Sequence, residues 1–125
     1  MLEVKKLKKG SYILHKGEPY IVKEVQNVVT GTHTHSKIKL IIHGLFSGIN
    51  ESFTLPPHDH VDDIHIIRKH GQVISKTEDK IQVMDLFSYD TLDADYHKDL
   101  VGDLEEGDEI TYVDFGGTAF IVEKR

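Results

Sequence analysis

The chain has 125 residues, no cysteine, 38% hydrophobic residues and a formal net charge of −6. That length suits one ordinary domain or two very small ones with modest cores, and the missing cysteines exclude disulfides, thiolate metal sites and a cysteine nucleophile. No apolar run nears the roughly 20 residues that span a bilayer, and the lysine-rich start (Lys5, Lys6, Lys8, Lys9) lacks the apolar core of a secretory signal, so a soluble, cytoplasmic protein with no membrane partner is expected.

Nearly every apolar run is short, rich in Val, Ile, Tyr and Phe, and bounded by turn residues, which favours small β-barrels over helices. Gly10 to Leu14 reads as a first strand, and Lys16-Gly17-Glu18-Pro19 as a turn into a strand from Tyr20 to Gln26. The segment Thr30-Gly31-Thr32-His33-Thr34-His35-Ser36-Lys37 lies between two alternating runs, so it reads as the tip of a long hairpin that returns through Lys37 to His43. Gly44 to Asn50 turns the chain into a strand at Glu51 to Leu55, where Pro56-Pro57 should end the pairing because proline cannot donate to a ladder. Short strands packed this densely into about sixty residues suggest a small SH3-like barrel.

A second set begins near Gly71. Gln72 to Ser75 and Lys80 to Asp85 form a hairpin, Thr91 to Tyr96 a third strand, and His97 to Asp103 a loop or helical turn. Asp108 to Val113 and Thr118 to Glu123 complete five strands, as in an OB-like barrel. The expected fold is therefore all-β, with an SH3-like N-terminal domain over residues 1–68 and an OB-fold C-terminal domain over residues 69–125.

Charge is unevenly shared. Residues 1–50 hold eight lysines against three acids, a balance of +5, whereas residues 69–125 hold six basic residues against fourteen acidic ones, a balance of −8. A basic face suits phosphates, while an acidic end suits a basic protein or simply solvent.

Two His-x-His pairs, His33 with His35 and His58 with His60 beside Asp59, place two imidazoles on one side of an extended chain, a spacing compatible with zinc or nickel. Each pair supplies only two ligands, so solvated loop histidines are the expectation and no metal or cofactor is assigned. No serine lies in a G-x-S-x-G setting, and Gly116-Gly117 precedes a strand rather than a helix, which is not a phosphate loop. No catalytic residue is assigned.

The order of landmarks resembles the archaeal and eukaryotic translation factor 5A family, relatives of bacterial elongation factor P. It is carried by Lys9-Gly10-Ser11-Tyr12-Ile13, Gly17-Glu18-Pro19-Tyr20-Ile21-Val22, Thr30 to Lys37, Gly44-Leu45-Phe46-Ser47-Gly48, Gly71-Gln72-Val73-Ile74, and Ile81 to Leu86 with Tyr89-Asp90-Thr91-Leu92. The resemblance implies the same pair of barrels. It also implies a hairpin tip reading Thr-Gly-Lys-His-Gly-His-Ala-Lys, whose first lysine a dedicated enzyme pair converts to hypusine. In the family that long cation supports the acceptor end of peptidyl-tRNA on the ribosome. Thr30, Gly31, His33, His35 and Lys37 agree with that tip, but Thr32 stands where the modified lysine belongs and Thr34 replaces a glycine.

A threonine hydroxyl offers no ε-amine and does not reach as far as a lysine. The leading expectation is thus a divergent, unmodified member that binds ribosome, tRNA or RNA through Thr30, Gly31, Thr32, His33, Thr34, His35, Lys37 and Lys39, assisted by the N-terminal lysines, without supporting peptide-bond formation in the usual way. The alternative is a protein-interaction paralogue using the acidic C-terminal half, in which Tyr89, Tyr96, Tyr112, Phe115 and Phe120 are taken as packing residues rather than a stacking platform. A weaker alternative is a metal-dependent hydrolase using His33, His35, His58 and His60.

Overall fold

A chain built from short alternating runs must close its sheets to protect their edges, and the computed structural model shows how this one does so. It describes residues 1–30, 35–78 and 80–125, apart from the side chains of Thr30 and His35. Within these the chain is almost entirely β and divides into two units, Met1–His65 and Ile66–Arg125.

The first unit contains β1 (Leu2–Glu3), a 3₁₀ turn (Val4–Lys6), β2 (Tyr12–His15), β3 (Glu18–Thr30), β4 (His35–Gly44), β5 (Asn50–Leu55) and β6 (His60–Asp63). They form one sheet in the order β1-β6-β2-β3-β4-β5. Both edge strands feed the same core: Leu2 from β1 and Phe53 and Leu55 from β5 pack on Ile13, Tyr20, Val22, Leu40 and Ile42. A sheet whose two edges share one core is curled, which gives the SH3-like barrel. Val4 and Leu7, three apart, are buried in that core and leave Lys5, Lys6, Lys8 and Lys9 exposed around them. The strands β1 and β6 were not expected from sequence, because Leu2–Glu3 and His60–Asp63 are too short and too polar to show alternation.

The second unit contains β7 (Arg68–Lys76), β8 (Ile81–Asp85), β9 (Thr91–Tyr96), a single helical turn α1 (Lys98–Val101), β10 (Glu109–Phe115) and β11 (Thr118–Lys124). The strands close a barrel in the order β10-β11-β9-β8-β7, with β10 returning to β7 and β9 parallel to β11. This is the OB-fold. Its core is Val73, Ile81, Val83, Leu104, Ile110 and Ile121, with the Tyr112 ring among them. Gly71 lies where β7 crosses close to β8: a Cβ there would meet Val83 Cγ1 at 2.5 Å and the Met84 carbonyl oxygen at 3.2 Å.

One buried charge organises this barrel. Asp85, 7% exposed at the end of β8, accepts a 2.5 Å hydrogen bond from the Tyr112 hydroxyl and two 2.8 Å bonds from the backbone N–H groups of Phe87 and Ser88. The Tyr112 bond and then the backbone donors hold its carboxyl at about 2, while burial and the neighbouring carboxylate push the Tyr112 phenol up. A carboxyl depressed in the folded state stabilises above the unfolded pKa, and that stability is lost as pH falls through the folded value. Its contribution is on the order of 2 kcal/mol at neutral pH, lost between about pH 4 and pH 2. Tyr112→Phe should therefore cost about 1–2 kcal/mol at pH 7, and the deficit should shrink towards pH 2.5. Urea unfolding of both proteins at the two pH values checks this; a deficit independent of pH contradicts it.

Candidate functional site

The long hairpin is built by β3 and β4, paired from Tyr20↔Gly44 to Thr30↔His35. Strict alternation over so many residues would fail here, because the buried set on β3 runs Tyr20 and Val22 and then resumes at Val25. A bulge between Val22 and Glu24 absorbs the extra residue, so that Val25 returns to the core side. On β4, Ile38, Leu40 and Ile42 face inward while Lys37 and Lys39 face outward, as period-two geometry requires.

The outward face of the stem carries the pairs Val28↔Lys37 and Gln26↔Lys39. Gln26 Nε2 donates to Glu24 Oε1 at 2.6 Å. The only acid on this described face of β3 is thus engaged by a neutral amide two residues away. Along β4, pairing with β5 ends at Ile38↔Leu55. Beyond it, Val28↔Lys37, Val29↔Ser36 and Thr30↔His35 form a ribbon of two strands alone. Val29, 63% exposed, shows that this ribbon has left the core.

Gly31, Thr32, His33 and Thr34 lie outside the described residues, as do the side chains of Thr30 and His35. Of the eight residues that sequence assigns to the tip, the structure therefore positions the side chains of Lys37 and Lys39 and brings them to one face of the stem.

The other candidates fall elsewhere. His58 Nδ1 lies 3.3 Å from Glu3 Oε2, and His60 is exposed on β6 opposite Glu3. Among the described residues no three His, Cys, Asp or Glu side chains gather to hold a metal ion. Also among the described residues, no helix is long and apolar enough to cross a membrane. The aromatics of the second unit divide: Tyr112 and Phe120 are buried and Tyr96 and Phe115 half-buried, but Tyr89 is exposed. The packing role expected of all five thus fails for Tyr89, because the backbone donors that Asp85 holds fix the following turn outside the barrel wall. Phe87, which sequence did not single out, is exposed beside it.

The stem's inward and outward faces should differ in their weight for stability. Leu40→Ala removes a fully buried side chain and should cost about 2–5 kcal/mol, whereas Lys37→Ala and Lys39→Ala should stay within about 0.5 kcal/mol of the parent. Thermal and urea unfolding of the three variants tests the assignment of faces.

Comparison with known proteins gives a consistent answer. The chain is 35% identical to translation initiation factor 5A of Metallosphaera sedula over 95% of its length and 92% of that protein. It is 35% identical to the Methanopyrus kandleri protein of the same name, covering 97% of this chain and 90% of that one. The solved structure of eukaryotic translation initiation factor 5A from Methanococcus jannaschii matches it with a TM-score of 0.64 and 27% identity, over 99% of this chain and 92% of that one. A translation initiation factor 5A family protein from Naegleria fowleri matches with a TM-score of 0.53 and 22% identity, over 99% and 96% of the two chains, and speaks for the fold alone. No family model matches the chain.

Proposed function

The chain belongs to the translation initiation factor 5A family, and we propose that it is a translation factor that docks its β3–β4 hairpin on ribosomal RNA or tRNA with an unmodified tip. The observation that carries this reading is the two-stranded ribbon running past the end of β5, with Lys37 and Lys39 on one outward face. Such a ribbon can enter a narrow space between nucleic-acid surfaces, and its lysines neutralise phosphates on the way. Thr30, Gly31, Thr32, His33, Thr34 and His35 belong to the proposed contact surface together with these lysines. The ribosome as partner places the protein in the cytoplasm, and the role is one of binding rather than catalysis.

Thr32 sets what the tip can do there. Modification to hypusine begins on an ε-amine, and Thr32 has only a secondary hydroxyl. Lys37 is the other amine near the tip, but it is paired with Val28 in the ladder, back along the returning strand. The tip therefore occupies its site as a short, neutral group and supplies no extended cation beside the peptidyl-tRNA acceptor end.

Two measurements test this reading. Ribosome pelleting across a salt series should give a log–log slope that becomes shallower by about 2 when Lys37 and Lys39 are both changed to Ala, about 1 for each phosphate released. An unchanged slope removes the hairpin from the interface. Intact mass after co-expression with the hypusine-forming enzymes should equal the unmodified mass for the parent chain. Any added hypusine-sized group contradicts the assignment of Thr32, and Thr32→Lys serves as the variant in which that addition becomes chemically possible.

A further inference from the structure

The turn between β8 and β9 is held more tightly than a connection needs. From Asp85 to Asp90 each backbone N–H has a partner. Asp85 donates to the Asp90 carbonyl at 2.8 Å, Leu86 to His70 at 2.9 Å and Tyr89 to Asp85 at 2.8 Å. Phe87 and Ser88 donate to the Asp85 carboxylate, and Asp90 to the Ser88 hydroxyl at 3.3 Å. Tyr89 is held at a φ of +63°, a left-handed conformation that is unusual for an aromatic residue. This fixed turn nevertheless directs two large rings into water, Phe87 at 94% exposure and Tyr89 at 71%. Neither ring contributes much burial to the fold, so their value to the folded chain alone is small.

Beside Phe87 lies an open recess of about 480 Å³ that Arg68, Lys69 and His70 also line. Arg68 Nη2 is 3.0 Å from Glu123 and Lys69 Nζ 3.0 Å from Asp114, with all four side chains roughly half exposed. Pairs this exposed are worth about 0–1 kcal/mol, so either cation can turn to another anion at little cost. Arg125 Nη1 donates to His70 Nδ1 at 2.5 Å, which adds a third cation to this neighbourhood. The Asp85 carboxylate at the same recess is already engaged by Tyr112, Phe87 and Ser88.

The geometry points to a site for one unpaired RNA nucleotide, its base stacked on Phe87 and its phosphate held by Arg68 and Lys69. A rigid ring loses little entropy on stacking, and stacking on an aromatic is worth about 1–3 kcal/mol per base. A lysine-rich peptide, which the acidic balance of this half of the chain would attract, meets Arg68, Lys69 and Arg125 at this recess and is disfavoured there. The same acidic balance discourages a long track of phosphates. The site accordingly takes a single nucleotide and neutralises its one phosphate, and its salt slope is shallow, about −0.7. The inference goes beyond the hairpin reading and uses none of its residues.

The test is a fluorescence titration of the full chain with a short single-stranded RNA carrying one 2-aminopurine. The parent should quench saturably at low salt. Phe87→Ala, which removes an almost fully exposed ring and should leave the unfolding midpoint unchanged, should weaken binding by about 5- to 100-fold, and Arg68→Ala with Lys69→Ala should weaken it and flatten the salt slope. Lys98→Ala, at an exposed lysine outside both proposed sites, should titrate like the parent, and hairpin docking is read separately from ribosome pelleting, so the two proposals fail in different measurements. Unaltered binding by Phe87→Ala, loss of quenching only in the hairpin variants, or binding of an oligolysine peptide in place of the RNA each overturns the proposal.

Discussion

The pairing of β3 with β4 is the constraint on which the first unit depends. It brings Tyr20 and Val22 against Leu40 and Ile42 to make most of a small core, and it does so in a chain with no disulfide to hold the ends together. The bulge at Lys23 is what lets one ladder serve two purposes. Below it the inward residues fill the barrel. Above it the same alternation continues into a ribbon that outruns β5 and carries Lys37 and Lys39 outward. A slip of one residue would turn Lys39 towards the core and expose Ile38 and Leu40, so the register that stabilises the barrel also sets the chemistry of the stem.

In the second unit the corresponding role belongs to a polar group. Asp85 is a buried carboxylate whose three partners are a phenol and two backbone donors, none of them a cation. A buried charge is costly unless its hydrogen bonds are complete. Here the bonds tie β8 to β10 through Tyr112 and fix the turn that follows β8. Loss of one bond is felt in both places, which makes the turn part of the barrel wall rather than an appendage. That coupling explains how Tyr89 is kept in a left-handed conformation, since the strain of order 1–3 kcal/mol is met by bonds on either side of it.

Much of this architecture is legible in the sequence. Tyr20 to Gln26, Lys37 to His43 and Glu51 to Leu55 are short apolar-rich runs that lie within β3, β4 and β5, although the bulge after Val22 is not visible in the first of them, and the five strands of the OB-fold follow from runs bounded by Gly, Asp and Glu. The failures have local causes. Leu2–Glu3 and His60–Asp63 become strands only by pairing with each other and with β2, a tertiary effect that no short window contains. Tyr89 and Phe120 look alike as aromatic residues in a strand-rich segment, yet one is exposed and the other buried. The difference lies in the Asp85 carboxylate, which turns the chain out of the sheet at Phe87. Asp85 itself reads as one acid among many until its partner Tyr112, far along the sequence, is known.

The candidate site was legible in a different sense. The meaning of Thr32 comes from alignment with a family pattern, and no spacing or periodicity in the chain itself would mark it. What physical chemistry adds is the consequence. Replacing an extended, modified cation by a threonine removes both reach and charge at the end of a stem whose flanking lysines remain. On the proposed docking, the affinity supplied by Lys37 and Lys39 would be a matter of phosphate neutralisation and would not depend on the tip. Under the proposed function, binding and tip chemistry would therefore be separable in this chain: the stem carries Lys37 and Lys39 on its outward face, while Thr32 stands where the family resemblance places a lysine. Under that proposal, a family member with this combination would occupy the same kind of surface without doing the same work there.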